Sequence, residues 1–264
     1  MGYKIYDAHA HIFPAKIAEK ATQSIGHFYD IPMHHLGSAE ELLRRGGEIG
    51  VSRYLVCSTA TKPEQVEHIN TFIHEQCELH PEFYGFATMH PDYAHIEEEL
   101  DRALEMGLHG IKLHPDFQHF DIDAPEALPL YRAASERKLP ILFHTGDDRY
   151  DYSAPHRLRK IAEAFPGLTC IGAHFGGYKA WHQSMEALQQ CPNVYFDTSS
   201  TLDFVPVDEA MDMLHAFGIE KFMWGSDFPM WDHREELARS LALPLTEDER
   251  NRIFHGTFEE IFSL

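Results

Sequence analysis

Short apolar runs recur along the chain, each closing on a polar residue, with helix-period segments between them. The runs begin near Ile5 (IYDAH), Arg53 (RYLVCS), Phe83 (FYGFATMH), Gly110 (GIKLH), Pro140 (PILFH), Leu168 (LTCIGAH), Asn193 (NVYFD) and Lys221 (KFMWGSD). Their lengths and their β-branched and aromatic content predict strands. After a first gap of roughly 50 residues they follow one another at roughly 25–30 residues, the size of a strand with its return helix. The intervening segments carry apolar stripes: Val66, Ile69, Ile73 and Cys77; Ile96, Leu100, Ala103 and Leu104; Leu158, Ile161, Ala162 and Phe165; Val207, Ala210, Met211 and Leu214. Spaced at three and four residues, these predict helices packed on a core. Asp92 is placed to cap the second of them and Gly107 to stop it, while Pro166-Gly167 and Gly218 end the last two.

Eight strands alternating with helices predict an α/β fold, a single (β/α)8 TIM barrel over residues 1–264. A doubly wound open sheet is the competing arrangement. Its first turn normally carries glycines for a phosphate, and DAHAHIFP has none. No linker or low-complexity stretch divides the chain, so one domain is expected. The long first gap holds an insertion, Phe13–Gly37, expected to sit over the C-terminal mouth of the barrel.

Composition narrows the function. The 264 residues are 44% hydrophobic and 24% charged, ordinary for a globular chain. Lys+Arg 22 against Asp+Glu 42 gives a net charge of −20 with His neutral. That field repels phosphate backbones and anionic bilayers, which argues against nucleic acid and membrane as partners. The 4 cysteines form no CxxC pair, and no apolar leader or span stands out, so a cytoplasmic location is expected. The 20 histidines are the anomaly. Histidine is the commonest metal ligand and the proton carrier of neutral pH.

Many of these histidines fall at strand ends. The first strand closes on His9 and His11, the third on His90, the fourth on His114, the fifth on His144 and the sixth on His174. The seventh closes on Asp197 and the eighth on Asp227. In such a barrel these ends share one face, where active sites sit. Side chains at i and i+2 of a strand point the same way, so Asp7, His9 and His11 are expected to face the mouth together. Two converging imidazoles suit a first-row divalent cation.

The segments DAHAHIFP, GIKLHP, FPGLTCIGAHFGG and FMWGSDFP resemble the amidohydrolase superfamily, from Tyr6 to Phe262 in matching order. They look most like its amidohydrolase-2 branch, which includes aminocarboxymuconate semialdehyde decarboxylase and related nonoxidative decarboxylases and hydrolases. The resemblance implies a single catalytic metal, most often zinc and sometimes manganese, with His9, His11, His144 and Asp227 as ligands. It implies that His174 is the acid–base residue beside the metal.

Two departures from the pattern stand out. The first-loop arginine that holds a substrate carboxylate in the decarboxylases is missing from HFYDIPMHHLG, where His27, His34 and His35 stand. Arg44 and Arg45 follow, but the pattern places them on the next helix. Thr257 stands where the branch often carries Asn. Among secondary candidates, His114 and Arg149 are expected to contact substrate, Arg149 alternatively bridging to Asp147, Asp148 or Asp151. Lys112, two positions below its strand end, is expected to form a structural ion pair. The echoed turns HPDY and HPDF read as strand stops whose aspartates cap the next helix.

The leading expectation is a metal-dependent hydrolase in which activated water attacks an amide, ester or lactone-type bond of a small molecule, with His174 and Asp227 in catalytic roles. The missing arginine favours it over the alternative, a nonoxidative decarboxylase of an unsaturated or aromatic acid on the same residues. A non-catalytic metal-binding barrel is a third reading, against which the complete ligand set argues. A homodimer is open.

Overall fold

The computed structural model describes residues 2–264. The strands are β1 (Ile5–His11), β2 (Val51–Cys57), β3 (Phe83–Gly85), β4 (Ala87–Thr88), β5 (Ile111–Leu113), β6 (Ile141–Phe143), β7 (Cys170–Gly172), β8 (Val194–Asp197) and β9 (Phe222–Met223). All neighbours pair in parallel, in the orders β1-β2-β3 and β4 through β9. The third expected strand is thus split at Phe86, whose N–H still bonds Val56 O while Ala87 N–H turns to Gly110 O. The ring closes where Ala8 N–H bonds Trp224 O at 2.8 Å, Asp227 N–H bonds His9 O at 2.8 Å and His11 N–H bonds Phe228 O at 2.7 Å. A closed parallel ring with helices outside is the TIM barrel, and the closure excludes the open doubly wound sheet.

The helices are α1 (Ala18–Tyr29), α2 (Ala39–Gly47), α3 (Val66–Leu79), α4 (Ile96–Glu105), α5 (Pro115–Gln118), α6 (Leu128–Glu136), α7 (Pro155–Ala164), α8 (Trp181–Leu188), α9 (Val207–Phe217), α10 (His233–Ala242), α11 (Glu247–Asn251) and α12 (Thr257–Phe262). The predicted stripes face the core through Val66, Ile73, Leu100, Ala103, Leu158, Ile161, Ala210 and Leu214, although Val207 is exposed. Two expected caps are not caps. α4 starts at Ile96, and Asp92 lies before it in a turn whose N–H bonds His90 Nδ1. In α5 the capping group is the ring of His114, which accepts from Phe117 N–H, and Asp116 lies inside the helix. Arg44 and Arg45 do lie on α2.

Side chains of alternate strand positions fill the barrel. Tyr6, Ala8, Leu55, Cys57, Phe86, Leu142, Ile171, Ala173 and Met223 form an interior cluster, with Phe258 of α12 packed into it. The same alternation carries Lys112 and His114 inward on β5 and His144 on β6. On β1 it breaks, because the register against β2 shifts between Asp7 and Ala10. That irregularity corrects the expectation for Asp7. Tyr6 and Ala8 face inward below it and His9 and His11 above it, while Asp7 turns outward to His233 of α10 at 3.0 Å and to the Ser226 hydroxyl at 2.6 Å. Irregularities of this kind re-aim side chains beside active sites. The insertion crosses the mouth as expected, because α1 walls a cavity that also reaches His11 and Asp227.

Candidate metal centre

β1 and the turn after β9 bring three donors together. His9 Nε2 lies 3.2 Å from His11 Nε2, and Asp227 Oδ1 lies 3.6 Å from the first and 3.4 Å from the second. A tetrahedral ion with bonds of about 2.1 Å holds its ligands about 3.4 Å apart, so this near-equilateral triangle fits a zinc-sized cation. The His174 ring belongs to the same group, with a nitrogen within 4.8 Å of donors on His9 and Asp227. The Lys112 ammonium points at the same His9 Nε2 from 2.9 Å, a positive charge directed where an ion's charge would stand. Lys112 forms no ion pair among the described residues, so the expected structural salt bridge is absent.

The surroundings prepare the donors. Asp197, at the end of β8, accepts from His9 Nδ1 at 2.9 Å, which leaves Nε2 with a free lone pair. Its other oxygen takes the N–H of His174 and both the N–H and the hydroxyl of Ser199. Burial, aided by the nearby Lys112 charge, holds the His9 pKa well below its ordinary value, so the ring is neutral and available to a metal. Burial alone would raise Asp227, but the neighbouring His9 ring and a hydrogen bond from His11 hold it well below the carboxylate range. The Cys57 thiol sits 3.7 Å from His11 Nδ1, on the far side of that ring.

His174 stands beside the triangle. Its ring stacks on His9 with centroids 5.2 Å apart, its Nδ1 meets the Ser199 hydroxyl at 3.0 Å, and its Nε2 lies 3.1 Å from His144 Nδ1. Burial lowers its pKa. His174 and Asp227 both adopt the left-handed backbone region, at φ 61° and 55°. Non-glycine residues rarely do so, and such strain gathers at functional sites.

His144 is brought to His174 rather than to the triangle. Its Nε2 faces Gly146 O at 3.1 Å and the Tyr29 hydroxyl at 3.3 Å. His114 stacks on it with centroids 3.9 Å apart and planes within 6°. A metal lies in the plane of each imidazole it binds. The His114, Asp116 and His144 group, although its donors lie within 4.8 Å of one another, is therefore no second metal centre as arranged.

Above the donors opens a cavity of about 750 Å³. Its inner polar corner is His114, Asp116, His144 and the Tyr29 hydroxyl; its exposed surface is mainly apolar, although Lys20, Ser24, Glu64, Gln65 and His68 also line it. His114 thus lines the cavity as expected, its Nε2 paired with Tyr29 at 2.9 Å. Arg149 does not. Asp147 holds its guanidinium through two bonds, 2.9 and 2.7 Å, and its side chain also bonds Phe28 O and covers the Phe28 ring. The expectation of an anion clamp gives way to its stated alternative, since Asp147 takes the Nε–Nη2 edge and Phe28 O takes Nη1. Arg149 braces the end of α1 instead. His35 lies between Glu41 and Asp232, at 3.5 Å from each, away from this cavity.

Sequence reasoning did not single out Ser199, Tyr29 or Cys57 for the site, and read Asp116 only as a helix cap. Ser199 follows Asp197 by two positions, the one signal that could have drawn it in. Tyr29 and Asp116 reach the site through loop and helix packing, which leaves no periodic trace.

The solved structures it resembles share the whole fold. One is a 5-carboxyvanillate decarboxylase from Sphingomonas paucimobilis, 15% identical, covering 100% of both chains at a TM-score of 0.78. Another is a dihydroxybenzoic acid decarboxylase from Polaromonas sp. with bound manganese and the inhibitor 2-nitroresorcinol, 14% identical, covering 100% of this chain and 98% of that one at 0.75. A putative 2-pyrone-4,6-dicarboxylic acid hydrolase from Pseudomonas putida is 17% identical over 100% and 98% of the two chains at 0.70. No curated protein sequence matches the chain. Among the described residues no helix is long and apolar enough to cross a membrane. The sequence pattern described as Amidohydrolase matches residues 6–264, nearly the full length, and with the closed barrel and the donors at its mouth this chain belongs to the amidohydrolase family.

Proposed function

We propose that the chain is a metal-dependent, nonoxidative carboxy-lyase acting on an aromatic or unsaturated carboxylic acid. The observation that carries this reading is a cation-binding floor beneath a largely apolar, ring-lined cavity: the His9, His11 and Asp227 triangle with the Lys112 ammonium below, and Phe28, Phe72 and Phe117 among the walls. That arrangement suits a flat apolar acid bound carboxylate-first. Two of the similar structures are decarboxylases, which supports it over hydrolysis, the reading the sequence alone favours.

His9, His11 and Asp227 would hold the ion, whereas His144, the fourth donor that the family resemblance implies, here meets His174 instead. When bound, a divalent ion supplies positive charge against the substrate's carboxylate and a neighbouring oxygen. Zinc and manganese both match the imidazole and carboxylate donors. His174 moves the proton. As the bond between ring carbon and carboxylate breaks, the electron pair stays on carbon and takes a proton from His174 Nε2, and carbon dioxide leaves. Ser199, at His174 Nδ1, and Asp197, on the His174 N–H, fix the ring for that transfer. The apolar walls keep water from the carbon where charge develops.

Hydrolysis remains the second reading, because one similar structure is a putative hydrolase of a pyrone dicarboxylic acid. A panel of hydroxybenzoic and dienoic acids, with esters and lactones beside them, separates the two. Expected is carbon dioxide release from an acid, with deuterium from heavy water at the vacated carbon. Oxygen-18 from water in a hydrolysis product, with no carbon dioxide from any acid, would overturn the proposal.

A further inference from the structure

We propose that the acid carries an extended apolar group, a further fused ring or a chain, lying between α1 and α3. Cavity size is the first observation. An engineered cavity of about 150 Å³ already holds benzene, and pockets of about 300–1,000 Å³ serve drug-sized ligands. At about 750 Å³ the cavity here is several times what a single-ring acid fills.

The helices supply the second. α1 buries Ala18, Thr22, Gly26 and Tyr29 against the body of the protein, the one stripe a surface helix needs. Beside the first, Ile17, Ala21, Ile25 and Phe28 form another apolar stripe that turns into the cavity, flanked there by Lys20 and Ser24, with Ile17 49% exposed. Opposite stand Ile69 and Phe72 of α3, one turn apart and only partly buried. Within this second stripe Ile25 and Phe28 pack in part against Tyr29, Tyr178 and Met230, and Ile17 is left open. The groove the stripe forms is continuous with the donors, because the same cavity reaches His11 and Asp227. A ligand seated on the metal through its carboxylate therefore extends its far end between the two helices. The nature of the acid end rests on the carboxy-lyase reading, whereas the groove does not.

The test uses metal-loaded protein and a matched pair, salicylic acid and 3-hydroxy-2-naphthoic acid, which share the acid and hydroxyl groups and differ by one fused ring. Binding is measured by calorimetry and turnover by carbon dioxide release. Expected is naphthoate binding on the order of tenfold tighter than salicylate, with Ala21→Trp and Ile25→Asp each abolishing the difference. Equal binding of the two acids to the unmodified protein would overturn the groove, and that comparison stands whether or not the variants fold. Tighter naphthoate binding without carbon dioxide from either acid would keep the groove and remove the lyase. Turnover of salicylate with no gain in naphthoate binding would do the reverse.

Discussion

The floor and the wall of the cavity are built on different principles. On the floor, nearly every polar atom is paired: His9 is held by Asp197, His174 by Ser199 and Asp227 by the Ser200 hydroxyl at 2.7 Å. Those side chains stand at strand ends that the closed ring fixes relative to one another. The wall is made by α1 and α3, whose apolar residues are packed on one side and line the cavity on the other. Ile69 and Phe72 pack on the core, and Ile25 and Phe28 on Tyr29, Tyr178 and Met230. A rigid polar floor suits chemistry, which depends on sub-ångström placement, and a loosely filled apolar wall suits selection by size. The carboxy-lyase reading accordingly draws on the floor, and the identity of the acid on the wall.

The contrast can be broken most forcefully at the floor. Asp227→Ala removes a corner of the donor triangle and should strip the metal and lower turnover by about 10³-fold or more. Full metal content by elemental analysis would remove Asp227 from the donor set. His174→Ala should keep its metal and lose about 10²-fold or more in turnover, as expected for a proton carrier. Loss of metal there would make His174 a ligand. Asp197→Asn, which meets His9 at its far nitrogen and also holds the His174 and Ser199 N–H groups, should weaken metal affinity by about 10–100-fold in a chelator competition. An unchanged affinity would show that the floor does not depend on that support.

A smaller effect is expected where floor meets wall. Asp116 is buried, bonded by the Ser153 hydroxyl on one oxygen and without a partner on the other among the described residues. Burial pushes its carboxyl up to about 6. Its unfolded value is about 3.9, so between those pH values the folded chain binds the extra proton and stability falls as pH rises. Asp116→Asn removes that penalty, on the order of 1–3 kcal/mol above pH 6. The variant should melt higher than the parent at pH 7.5, with the difference closing at pH 4. A lower melting temperature at both pH values would mean that the charge has a partner when the protein is in solution.

What the sequence made legible follows the same division. The strand ends announced the floor, because alternation carries side chains to one face and the ends of parallel strands meet at one mouth. His9, His11, His174 and Asp227 were placed at the mouth that way, while the roles expected of them came from the family resemblance. Asp7 was misassigned by that logic, since one register shift in β1 reverses every side chain below it. For Arg149 the two alternatives stood level, because a loop residue's partner depends on how the loop folds, and the structure shows the bridge to Asp147, two positions away. For the wall, the interval Phe13–Gly37 marked an insertion over the mouth, but not which face of α1 would turn inward. The missing first-loop arginine pointed toward hydrolysis, whereas Lys112, read in the sequence only as a structural ion-pair residue, reaches His9 Nε2 from below.

The donor triangle is the point on which the account turns. Crystals grown with manganese or zinc and measured across the metal's absorption edge locate the ion directly. The account predicts one anomalous peak at about 2.0–2.2 Å from His9 Nε2, His11 Nε2 and a carboxylate oxygen of Asp227. A peak elsewhere in the barrel, or none at saturating metal, would contradict it.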